Sequence, residues 1–124
     1  MNDMGKQMNK ELKNKITENL SDDLLKKEYL NILNKNKYTG HCYVASETYY
    51  HLSKENLKVY HIKHENSTHW FLKDYLDNVI DLTYKQFKTS VDYKNARRGF
   101  FLTKEPSKRS KKLINKIIND KRNL

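Results

Sequence analysis

Three short stretches carry the residue types that acyl transfer needs: Gly40-His41-Cys42, Thr68-His69-Trp70 and Ile80-Asp81-Leu82-Thr83. Cys42 is the only cysteine among 124 residues, so it can form no internal disulfide. A thiolate attacks a carbonyl carbon, an imidazole carries the proton, and a carboxylate holds the imidazole in the tautomer that can do so. Cys42, His69 and Asp81 are the expected catalytic residues, as nucleophile, base-then-acid and orienting acid. This chemistry implies no cofactor and no metal.

Each of the three needs an element to hold it. Thr39-Gly40 opens a predicted helix running to about Leu52, with Cys42, Ala45, Tyr49 and Leu52 on one face. Cys42 then sits in the first turn, where unpaired N–H groups and the helix dipole favour a negative thiolate. Thiols in such settings titrate from about 8.5 down into the range of roughly 3.5 to 7.5. A buried filler cysteine is the commoner use of a lone thiol, but filler has no reason to prefer a helix start.

His69 and Asp81 fall on two predicted strands, Thr68 to Lys73 and Val79 to Thr83, joined by a loop with Asp74 and Asp77-Asn78. A three- to five-residue loop centred on Tyr75 sets His69 directly opposite Asp81, on one face. A two-residue turn at Asp77-Asn78 would instead set Asp81 against Asp74, about 16 Å from the histidine along the strand. The site requires the longer loop, and Trp70 then points to the other face, into the core or under the sheet.

The remaining pattern gives a small α+β protein with an antiparallel sheet packed against helices. Residues 1–20 read as a lead-in, helical if Leu12, Ile16 and Leu20 form a stripe. Residues 21–105 read as the core. Ser21-Asp22-Asp23 caps a predicted helix carrying Leu24, Leu25, Tyr29, Ile32 and Leu33, which ends at Asn34-Lys35-Asn36-Lys37. Val59 to His64 reads as a strand, Glu65-Asn66-Ser67 as a turn, Tyr84 to Phe87 as a short helical stretch and Gly99 to Thr103 as a further strand. Residues 106–124 read as a basic helix opened by Pro106 and Ser107, with Leu113, Ile114, Ile117 and Ile118 as its stripe.

The net charge is +10, which invites an anionic partner such as nucleic acid. Lys108, Arg109, Lys111 and Lys112 are the expected anion-binding residues, and the tyrosines are either stacking platforms or core packing. Lysine supplies 21 of the 25 basic residues, with asparagine, isoleucine and tyrosine also abundant; AT-rich coding produces that pattern whatever the function. A non-enzymatic basic protein that binds nucleic acid or a host protein therefore stands beside the thiol reading. No apolar run approaches the roughly 20 residues of a membrane span, and the N-terminus has no signal-peptide core, so the expected location is cytoplasmic with no membrane partner. His61, His64 and His69 with Cys42 could form a metal set, but positions 61 and 64 of a strand point to opposite faces and no second cysteine is present. His41 and His51 read as exposed, and Glu65 and Thr68 flank the histidine without a derivable role.

The stretch Gly40-His41-Cys42-Tyr43-Val44-Ala45-Ser46-Glu47, with His64-Glu65, Thr68-His69-Trp70-Phe71-Leu72, Asp81-Leu82-Thr83 and Gln86-Phe87, resembles a family of small bacteriophage proteins. Arg98-Gly99-Phe100, Leu102-Thr103 and Pro106-Ser107-Lys108-Arg109 extend the likeness, which covers about residues 38–110. The His-Trp, Asp-Leu-Thr and Gln-Phe elements are also similar to YunG-like proteins and, more distantly, to the His and Asp-Pro-Thr strands of transglutaminase-like thiol enzymes. Leu82 stands where many relatives of that motif carry proline. The phage-family likeness implies a host-cytoplasmic setting and little about activity; the more distant likeness alone implies a papain-like core, a protein or peptide amide as substrate, and the same roles for Cys42, His69 and Asp81. Peptidase, deamidase and transferase chemistry all remain open.

Overall fold

The computed structural model describes residues 3–32 and 35–120, with side chains from Lys10 onward. Among the described residues are three helices, α1 (Asp3–Glu18), α2 (Cys42–Leu52) and α3 (Lys108–Ile118), and a four-stranded antiparallel sheet; α2 packs on the sheet, and α1 and α3 pack against α2. The strands are β1 (Lys58–His64), β2 (Ser67–Lys73), β3 (Val79–Ile80) and β4 (Arg97–Arg98), ordered β3-β2-β1-β4. The fold class is α+β. No helix among the described residues is long and apolar enough to cross a membrane.

One core draws on all three segments of the chain. Ile16 and Leu20 follow the stripe of α1, and Leu113 and Ile117 that of α3; both pairs pack with Leu24, Val44, Ala45, Tyr49, Val59, Leu72 and Leu82. Ile118, 71% exposed, falls outside the buried stripe. Leu33 and Asn34, the end of the second predicted helix, lie outside the described residues.

That second predicted helix does not form. Asp22–Leu24 and Lys27–Tyr29 are separate 3₁₀ turns, with extended backbone at Leu25 and Lys26 between them. Two carbonyls of this segment take long-range donors: Ser21 O accepts from the His41 ring at 3.0 Å as well as from Leu24 N, and Leu24 O accepts from Arg109 Nε at 2.6 Å. Ser21 makes no cap to its own turn; its hydroxyl donates to Asp23. Long-range donors override a good local start signal here.

The β1–β2 hairpin turns through Glu65 and Asn66, both at positive φ (47° and 65°), as a two-residue loop that matches strand twist requires. Glu65 tolerates this because its carboxylate accepts from Lys88 N, Thr89 N and Thr89 Oγ1 at 3.0, 2.9 and 2.6 Å. The expected strand at Gly99 to Thr103 is displaced to Arg97–Arg98. Gly99 N still donates to Val59 O, but the chain then leaves the sheet and Leu102 N donates to Tyr43 Oη at 2.8 Å. Phe101 enters a cluster with Tyr43, Tyr50 and Trp70, while Phe100 and Leu102 stay 76% and 90% exposed.

Gly40 fixes the approach to α2. Its φ is +79°, and a Cβ there would lie 2.8 Å from Tyr29 Cγ and 3.0 Å from Leu25 Cδ2. Gly40→Ala is expected to cost at least about 2 kcal/mol, from left-handed strain plus the clash. A urea unfolding midpoint equal to that of the parent would refute this.

Candidate thiol site

Local hydrogen bonding places the thiol. Helix α2 lies along the edge of β2 that β3 leaves open when it ends at Ile80. Cys42 Sγ faces Thr68 O at 3.8 Å, and one turn later Ser46 Oγ donates to Trp70 O at 3.2 Å. Four residues of helix rise about 6 Å and two of strand about 6.7 Å, so the helix side chains keep pace with alternate strand carbonyls. Cys42 is partly exposed.

The register that brings His69 and Asp81 together is neither of the two expected. Leu72 pairs with Ile80 and Lys73 with Val79, around a loop centred on Leu76. Asp74 organises that loop: its N–H donates to Asn78 O, and its Oδ1 accepts from Leu76 N and Asn78 N, both at 2.9 Å. His69 and Asp81 are therefore offset by two residues rather than opposed. An even offset preserves the face, and diagonal neighbours on one face lie within reach of side chains this long. Asp81 Oδ2 accepts from His69 Nε2 at 2.6 Å, with both groups buried.

Further donors hold Asp81. Tyr93 Oη donates to the same Oδ2 at 2.7 Å, and Thr83 N donates to Oδ1 at 3.1 Å. The His69 ring stacks near Phe71 and takes the edge of Phe87 at 4.7 Å, 90° between planes. Its Nδ1 faces Gln86 Nε2 at 3.4 Å, and the Cys42 sulfur is close enough to act on the ring electrostatically. Gln86 is held in turn by Thr83 Oγ1 at 3.1 Å and by Gly40 N at 3.5 Å.

Burial by itself pushes the His69 titration down. The hydrogen bond and charge of Asp81, with a further contribution from Cys42, outweigh it and raise the ring to about 9. The same carboxylate, together with burial, raises the Tyr93 phenol, which stays a donor at all ordinary pH. Sequence reasoning missed three supporting residues. Gln86 and Thr83 left a trace in the Gln-Phe and Asp-Leu-Thr elements, with Thr83 acting through both its backbone N–H and its hydroxyl; Tyr93 arrives from a 3₁₀ turn (Tyr93–Asn95) that spacing does not mark.

The other histidines go elsewhere. His41 was expected to be exposed and is buried, with Nδ1 at 2.9 Å from Lys37 O and Nε2 at 3.0 Å from Ser21 O. Burial lowers its titration against the pull of those carbonyls. His51 is half-buried rather than on the surface. His61 lies against Trp70, which packs on the core side of the sheet, and His64 bonds Thr89. Among the described residues no group of three His, Cys, Asp or Glu side chains could hold a metal ion.

The four expected anion-binding residues do not converge on one free face. Arg109 turns inward to donate to Leu24 O, and its burial there lowers its titration against the pull of Glu47. Lys112, with Lys116, pairs with Asp23 at 3.3 and 3.0 Å. Lys108 and Lys111 remain exposed. Buried Glu47 explains the start of α3: its carboxylate accepts from Ser107 N at 2.7 Å and Ser107 Oγ at 2.6 Å, and the Ser107 hydroxyl accepts from Ser110 N.

Comparison with family models, with curated proteins and with solved structures gave no match.

Proposed function

We propose that this chain is a cysteine acyl-transfer enzyme with a papain-like arrangement, acting on a protein or peptide amide as peptidase, deamidase or transferase. One observation carries the reading. A fully buried histidine is held by a carboxylate at 2.6 Å through one ring nitrogen, and a partly exposed thiol at a helix start acts on the same ring.

In the proposed reaction Cys42 Sγ attacks the carbonyl carbon and the oxygen gains the negative charge. The Cys42 N–H at the helix start would donate to that oxygen. The C–N bond breaks as His69 gives its proton to the leaving amine, which leaves a thioester on Cys42. Water or a second amine then attacks the thioester, His69 takes the incoming proton, and the sulfur leaves. Asp81 keeps the ring oriented throughout, since its Oδ2 is itself pinned by Tyr93.

Alkylation kinetics with iodoacetamide test the pairing directly. The wild-type rate is expected to stay nearly level from about pH 6 to 8, because imidazolium and thiolate react as a pair. His69→Gln, which retains a donor for Asp81, is expected to react at least about tenfold more slowly at pH 6, with a rate that climbs steadily with pH. Identical profiles for the two proteins would remove the proposal.

A further inference from the structure

A second site lies away from the thiol. Between α1 and the β2–β3 loop is an open cavity of about 730 Å³, within the size range of small-molecule sites. Neither Cys42 nor His69 lines it. Tyr49 of α2 forms part of its wall; the residue is 0% exposed, and its hydroxyl has no hydrogen-bond partner among the described residues. Burial, with the charges of Glu55 and Asp74, raises this phenol, so it is a protonated donor that lacks an acceptor.

The wall also carries Lys10, Lys13 and Lys85, none of which has an ion pair among the described residues. Lys13 Nζ lies 5.5 Å over the ring of Tyr84, an exposed residue that lines the same cavity. Two carboxylates line the cavity, but both are already engaged. Asp74 accepts from Leu76 N, Asn78 N and Asn78 Nδ2, and Asp81 accepts from His69, Tyr93 and Thr83. The free hydrogen-bonding capacity is therefore cationic and donor-rich, beside an aromatic face.

We propose that this cavity binds a small aromatic phosphate of mononucleotide size. The ring would stack on Tyr84, the phosphate dianion would meet the three lysines, and an acceptor seated at the back would give the Tyr49 hydroxyl its partner. Three ammonium groups around one opening suit a dianion, and lysine binds phosphate as a point charge. An aromatic face sequence-tolerantly stacks any base, so the class is nucleoside phosphates rather than one of them. This site stands whether or not Cys42 is a nucleophile.

Calorimetric titration of the full chain at low ionic strength with AMP, adenosine and inorganic phosphate tests it. AMP is expected to bind saturably at one site, with adenosine and inorganic phosphate each at least about tenfold weaker. Tyr49→Phe is expected to weaken AMP about fivefold, the value of one hydrogen bond, without lowering the unfolding temperature. Lys13→Gln with Lys85→Gln should weaken it at least about tenfold. Absence of saturable AMP binding would overturn the proposal. So would inorganic phosphate binding as tightly as AMP, the mark of a diffuse lysine field, or an unchanged affinity in Tyr49→Phe.

Discussion

Cys42→Ser is expected to lose acyl-transfer activity by a factor of about 10³ or more while unfolding at the wild-type temperature. Serine keeps the size and the contact to Thr68 O, but a hydroxyl beside an imidazolium does not ionise as a thiol does. The measurement is turnover of an activated ester, together with the mass of the acylated protein after brief exposure to it. Acylation should map to Cys42 in the wild type and vanish in the variant. His69→Gln should fall by a similar factor without loss of fold, because removing either member of a paired nucleophile and base disables both. An acyl adduct that persists in Cys42→Ser would place the chemistry elsewhere in the molecule.

Stability should fall steeply as the solution turns alkaline. The folded His69 ring titrates near 9 against an ordinary value of 6.5, so the folded protein holds a proton that the unfolded chain has released. The stabilisation is complete below about pH 6.5, declines through the interval to about 9, and is gone above it. Its full size is on the order of 3 kcal/mol, at 1.36 kcal/mol for each pH unit of separation. Asp81→Asn removes the charge that holds the proton, so its stability should be nearly flat over the same interval. The comparison is denaturant unfolding of both proteins at pH 6, 7.5 and 9. Parallel curves would show that Asp81 does not hold His69 charged.

The two results separate the layers of the site. Loss of activity in Cys42→Ser with an intact pH-dependent stability would assign the chemistry to the thiol and the buried pair to its support. A pH-dependent stability without any acylation would leave His69–Asp81 as a structural pair that ties β2 to the chain after β3.

Much of the scaffold is written locally. The capping serine at 107 and the apolar spacing of residues 12–20 and 113–117 mark helices that form, because an amphipathic stripe needs only some apolar surface to meet. Gly40 marks the start of α2 because a left-handed residue is needed there and only glycine takes it cheaply. The alternation in residues 58–64 and 67–73 marks the central hairpin, and parity along those strands is enough to put His69 on the face opposite Trp70. In that sense the types, order and facing of Cys42, His69 and Asp81 were legible before any coordinates.

Distances between elements were not legible, since they depend on partners far apart in the chain. Whether residues 21–32 coil as a helix was decided with His41 and Arg109 donating to the carbonyls of Ser21 and Leu24. The register beyond the β2–β3 loop was decided by Asp74 binding three donors of its own turn, which moved the loop centre by one residue and the pairing by two. The hydroxyl of Tyr93 and the amide of Gln86 reach the site from segments with no repeating pattern at all. Periodicity records which side of an element meets the interior; only the packed chain, where each buried polar group must find a particular partner, sets which atoms touch.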